Sequence, residues 1–240
     1  MFECYKPYSI REMISLRRQI YEGKNLALVI QENCSSQKCE FLLLQEFSEK
    51  KFGIRNRGAL KGYRDSLWSG ELAEVKNGVA CIQSETSILN VWRACEPGAR
   101  QFHIPGGECQ LAGMAVMEDV LDGDEMLALA FWNKKSIGFF SIQLSGLVQV
   151  RDVQLEFNPY ALLWIAGKQT LLIGDRNGND EQICALRVTD CDVTSYTVTL
   201  EGKQRFAVLR WCVLPDMRGN ESAIAIYDCE SSSVKLFELA

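Results

Sequence analysis

Histidine is almost missing from this chain: the 240 residues contain one, His103. A Ser–His or Cys–His catalytic pair therefore has one candidate base. A histidine-based zinc site has little to build on. Ten cysteines are present, yet none forms a C-x-x-C pair, which removes the usual sequence sign of a thiol metal knuckle or redox centre. No apolar run approaches the length of a membrane span, so no membrane partner is expected. Residues 1–9 have no apolar core of the kind a secretory signal needs. Strict helical periodicity, low-complexity tracts and a clear interdomain linker are missing too. The scattered cysteines, many of them inside apolar runs, read as reduced, buried thiols of an intracellular protein.

What is present is a repeat. Residues 223–227 (AIAIY) form an apolar run, residues 228–232 a polar break, and residues 233–238 (SVKLFE) an alternating segment. Two short strands joined by a tight turn are the natural reading. The same unit recurs at 26–30 and 39–44, at 79–83 and 88–92, at 126–132 and 137–143, and at 170–175 and 182–188. Copies about 45 to 55 residues apart have the period of propeller blades. Further apolar segments precede the later copies (67–75, 111–117, 160–166, 206–214), and alternating runs follow some (148–155, 195–200). Up to four short strands per unit make a blade. The expected fold is therefore all-β, a WD-like β-propeller of about five units, closed or open, forming one domain over residues 1–240. The last unit ends one strand short, and residues 2–8 are the candidate to supply the missing strand. Residues 1–23 read equally well as strand or helix, because Ser9 and Glu12 have capping-box spacing and Ile10, Met13 and Ile14 share a helical face.

The second strand of a unit closes on an aromatic residue, as in Leu89-Asn90-Val91-Trp92, Ile137-Gly138-Phe139-Phe140 and Val234-Lys235-Leu236-Phe237. This pattern resembles the end of the third strand in WD-repeat proteins. The family's Gly-His pair is missing, and Arg93 stands where an acid usually follows Trp92. In strand order and spacing, residues 157–239 also resemble the C-terminal propeller of the partner-and-localiser of the breast-cancer susceptibility protein. That resemblance implies a nuclear scaffold in DNA repair, although none of that family's partner-binding residues can be matched here.

Candidate sites are few. Residues 175–181 (DRNGNDE) place ligand oxygens at alternate positions as calcium requires, but Asp180 stands where the loop needs glycine, and Asn177-Gly178 is a hairpin signal. Asp119, Asp122, Asp124 and Glu125 cluster around Gly123, as paired acid–base or metal-binding carboxylates or as a solvated loop. Pro105-Gly106-Gly107 after His103 reads as a turn. Ser66, Ser69 and Ser145 lack the glycine-flanked elbow of hydrolase nucleophiles. Lys50, Lys51, Arg55, Arg57, Lys61 and Arg64 form a basic stretch with Phe52 and Tyr63 in a chain of net charge -5. It could contact an acidic partner or nucleic-acid phosphates, or it is a solvated loop between units. The expected role is a non-enzymatic interaction scaffold: a subunit of an intracellular complex, nuclear or cytoplasmic, with other protein subunits as partners and no cofactor. The alternatives are a nucleic-acid-binding module using the 50–64 stretch, or a propeller hydrolase with carboxylates converging from several units.

Overall fold

The computed structural model describes residues 8–21, 24–33, 38–48, 51–59, 72–75, 78–83, 87–93, 99–105, 111–121, 124–143, 145–175, 182–188, 193–199, 208–215, 221–228 and 233–238. The chain divides into two compact units, Met1–Ile104 and Pro105–Ala240.

The first unit holds two antiparallel sheets. One runs in the order β1 (Tyr8–Tyr21), β2 (Lys24–Asn33), β3 (Lys38–Ser48), β4 (Lys51–Ala59). The other runs β5 (Leu72–Val75), β6 (Gly78–Gln83), β7 (Ile88–Arg93), β8 (Ala99–His103). Its β7 carries Asn90, a buried polar side chain that accepts a 3.0 Å hydrogen bond from Gln101 of β8. The opening segment is strand, not helix: Ser9 pairs with Glu32 and Glu12 with Ile30. The capping-box spacing loses because ladder pairing of β1 from Tyr8 to Leu16 outweighs one local cap.

The second unit holds three sheets. The first comprises β9 (Leu111–Leu121), β10 (Asp124–Phe131), β11 (Ser136–Gln143) and β12 (Gly146–Gln154). The next comprises β13 (Pro159–Ile165), β14 (Thr170–Asp175), β15 (Gln182–Val188) and β16 (Val193–Thr199), with a 3-10 turn at Ala166–Lys168. The last has three strands among the described residues: β17 (Val208–Pro215), β18 (Glu221–Asp228) and β19 (Ser233–Glu238). The five repeated hairpins thus fall one to each of the five described sheets, and among the described residues the last has one strand fewer than the others. Of residues 2–8, the candidate source of a closing strand, Tyr8 opens β1 and residues 2–7 lie outside the described residues.

Period-two alternation explains how the sheets of the second unit stack. On β13, Leu162 and Trp164 join Met117, Ala128, Ile137, Phe139, Leu171 and Leu186 in one core. Ala161, Leu163 and Ile165 on the opposite face join Leu172, Ala185, Ile224, Ile226 and Trp211 in another. A strand covered on both faces reads as a continuous apolar run, which is why residues 160–166 stand out in the sequence. Each fully buried Leu, Ile or Phe contributes about 1.5–3 kcal/mol relative to exposure.

A local device recurs at the start of three strands. Ser87, Lys135 and Gln169 adopt left-handed backbone with φ of 50°, 51° and 47°. Their carbonyls accept N–H bonds from Ile104 (2.9 Å), Leu155 (2.7 Å) and Val188 (2.9 Å). An apolar residue at the end of the adjacent strand is thereby fixed beside the turn. Ile104 and Val188 are both buried.

Candidate active site

In each unit the first strands of successive sheets lie beside one another: β1 with β5 in the first unit, and β9 with β13 and β13 with β17 in the second. Gly113 on β9 shows how close this approach is, because a Cβ there would collide with the backbone carbonyl of Tyr160. On such a scaffold, candidate sites are sought where the first strands end and ladder pairing breaks down, since bulges and loops often carry functional side chains.

In the second unit, that break carries carboxylates. Leu121 pairs with Asp124 and Met117 with Met126, so residues 118–120 of β9 stand opposite Glu125 alone. The three residues are Glu118, Asp119 and Val120. Bulges of this kind re-aim side chains and recur next to active sites. The acidic group of Asp119, Asp122, Asp124 and Glu125 is therefore not a free loop: Asp119, Asp124 and Glu125 sit on strands at an irregular ladder end, and Glu125 is half-buried. Asp122 lies outside the described residues.

The 3-10 turn after β13 lies against β9. The Glu221 carboxylate clamps it from β18, accepting from Ala166 N–H at 3.0 Å and from Gly167 N–H at 2.8 Å. Within the turn, Thr170 Oγ1 donates to the Lys168 carbonyl at 2.9 Å, and Gln169 N–H donates to the Ala166 carbonyl at 3.0 Å. Lys168 is exposed. The first unit has its own counterpart at the end of β1. Leu16 pairs with Leu26 and Tyr21 with Lys24, leaving residues 17–20, with Arg17 and Arg18, opposite Asn25. Sequence reading passed over Arg17, Arg18, Glu118, Lys168 and Glu221. Their only signal was charge within or beside apolar segments.

The other candidates fall elsewhere. His103 is exposed at the end of β8, and Ser145 is exposed in a turn before β12. Ser66 and Ser69 lie outside the described residues, as do residues 176–181 of the calcium-like stretch; Asp175 ends β14. Among the described residues, no group of three metal-ligating side chains comes together. Of the basic stretch, Lys51, Arg55 and Arg57 lie on β4, while Lys50, Lys61 and Arg64 lie outside the described residues. Cys81 is buried as expected, and burial pushes the half-buried Cys184 thiol above its ordinary range. Cys212 corrects the expectation of buried thiols, because it is exposed.

No protein-family profile matches the chain, and no curated protein matches it. Solved structures do. The periplasmic gluconolactonase of Pseudomonas aeruginosa is 14% identical with a TM-score of 0.59, over 92% of this chain and 64% of its own. A candidate 6-phosphogluconolactonase of Bacteroides fragilis is 13% identical with a TM-score of 0.58, over 95% of this chain and 69% of its own. A chain from an active polycomb repressive complex 2 is 11% identical with a TM-score of 0.62, over 98% of this chain and 50% of its own. The chain thus spans just under two thirds of the length of the Pseudomonas protein. The fold is an all-β propeller fold, shared with lactonases and with a chain from a multi-protein assembly.

The expectation of a non-enzymatic scaffold is corrected by the two sugar-lactonase structures. The physical reason is that one propeller fold serves both roles, so a repeat pattern that reveals the fold does not decide between them. The resemblance to the breast-cancer partner protein, with its nuclear repair role, gains no support from these structures. Among the described residues, no helix is long and apolar enough to cross a membrane.

Proposed function

We propose that the chain is a propeller hydrolase acting on a small cyclic ester of the sugar-lactone type. The observation that carries this reading is its likeness, over more than nine tenths of its length, to a gluconolactonase and a candidate 6-phosphogluconolactonase. The carboxylates at the β9–β10 ladder break fit the chemistry. Lactone hydrolysis adds water across the ring C–O bond: a base takes a proton from water as oxygen attacks the carbonyl, and the ring oxygen leaves as the alcohol after gaining a proton. Glu118, Asp119 and Glu125 are the groups assigned to proton transfer. Nuclear residence and a DNA-repair role rest on the earlier resemblance alone and form no part of this proposal.

The test is a pH-stat assay with glucono-1,5-lactone and its 6-phosphate, corrected for spontaneous opening. Enzymatic acid release that drops by about a hundredfold or more in Asp119→Asn or Glu118→Gln supports the assignment. No turnover of either lactone by the native chain sinks the lactonase reading. Turnover that both variants retain sinks the residue assignment.

A further inference from the structure

The described part of the basic stretch lies on a terminal strand, and this gives it a use that a loop would not have. Among the described strands, β4 is the terminal strand of its sheet and pairs with β3 alone. An edge strand presents a row of backbone donors and acceptors to an incoming chain. Residues 50–64 carry six basic side chains and no acidic one, and three of them, Lys51, Arg55 and Arg57, fall on β4 itself. Asn56 pairs with Leu43 and Ile54 with Leu44, so Arg55 is the extra residue of a bulge, with Arg57 two positions on, opposite Leu42.

We infer that the β4 edge is a docking strand for an acidic peptide in extended conformation. The peptide adds to the sheet beyond β4 and brings Glu or Asp residues to an edge that carries Lys51, Arg55 and Arg57. Charge complementarity selects this occupant. Lys51, Arg55 and Arg57 place three positive charges within the nine residues of one edge strand, so an extended strand rich in carboxylates matches that edge in charge as well as in backbone hydrogen bonding. The positive charge that attracts an acidic strand also repels a second β4 edge, so pairing of two copies through β4 is disfavoured by the same residues. A nucleic acid would meet the charge but leave the backbone edge unused. The inference is independent of the lactonase reading, because β4 is an outer strand remote in its sheet from the first strand, β1.

The native full chain is titrated by fluorescence anisotropy with four labelled probes. These are an eight-residue alternating Glu-Val peptide, its Lys-Val counterpart, a Glu-Val peptide with alternate backbone N-methyl groups, and an oligo-dT strand. The Glu-Val peptide is expected to bind and to slow hydrogen exchange across residues 51–59. The N-methyl peptide and the Lys-Val peptide are expected to lose that binding. The double variant Arg55→Glu with Arg57→Glu should weaken Glu-Val binding about tenfold or more and turn preference toward Lys-Val. Should that variant misfold, the N-methyl comparison on the native chain decides the matter. Equal binding of the N-methyl peptide, no protection at 51–59, or tighter binding of oligo-dT with a steep salt dependence overturns the inference, the last in favour of a nucleic-acid contact.

Discussion

Gly113 and Gln169 pose opposite backbone problems. At Gly113 any Cβ would collide with the Tyr160 carbonyl, which is backbone and cannot rotate aside. Gly113→Ala is expected to destabilise the chain by about 1–3 kcal/mol through overpacking. Gln169 sits at φ 47° and ψ 45°, where its Cβ is crowded. Gln169→Gly keeps the N–H donor to Ala166 and the carbonyl that receives Val188 N–H. It relieves that crowding, and the gain, about 1 kcal/mol, is offset in part by the greater freedom of glycine in the unfolded chain. Urea midpoints of the two variants should move in opposite directions. Cys184 adds a pH-dependent term. Its folded thiol titrates above the ordinary range because of burial, so on raising pH the unfolded chain loses this proton first. The stability it confers is full below the unfolded thiol range and is lost as pH rises toward the folded value. Between about pH 8 and 10, the native chain should lose stability more steeply than Cys184→Ala. Parallel slopes in denaturant titrations would count against this.

At the scale of elements, the Glu221 clamp joins residues 54 and 55 positions apart. It ties the start of β18 to the turn that leaves β13. Glu221→Gln retains one acceptor oxygen but loses the second and the charge, at a cost of about 1–2 kcal/mol. It should also free the Ala166–Lys168 turn, visible as faster amide exchange at Ala166 and Gly167 than in the native chain. Unchanged exchange there would show that the clamp does not hold the turn. No sequence pattern announced this contact, since a lone Glu before an apolar run looks like any surface acid. The hairpins, by contrast, were legible: 170–175 and 182–188 match β14 and β15 because each is a buried apolar run bounded by turn residues. The outer strands β4 and β8 were not. Their sequences, KFGIRNRGA and ARQFH, lack apolar alternation. β12 was legible for the opposite reason: Val153 and its neighbour Leu155 pack against the core while Asp152 and Gln154 face water.

The whole molecule is a chain of similar sheets, and within the second unit each sheet packs on its neighbours in sequence. Stability in such an array depends on sheet-to-sheet interfaces, so protection from exchange should follow position within a sheet. Leu127, Ala128, Leu129 and Ala130 of β10 are fully buried, and the strand is paired on both sides by β9 and β11. β12 and β19 are terminal strands of their sheets and carry the exposed Val148, Val150, Val234 and Leu236. Native-state hydrogen exchange should therefore find β10 and β14 opening only with global unfolding, and β12 opening at a small fraction of that free energy. This gradient also bears on the candidate site. The ladder break at residues 118–120 lies on β9, which packs against β13 beyond it. The residues that carry the carboxylates thus follow a stretch of β9 that is expected to exchange slowly, with the irregularity confined to the strand end. Rapid exchange through Met114–Met117 would show a loose mount, unsuited to holding proton-transfer groups in register. Slow exchange there, with fast exchange confined to 118–121, is the outcome expected of a rigid strand with a re-aimed end.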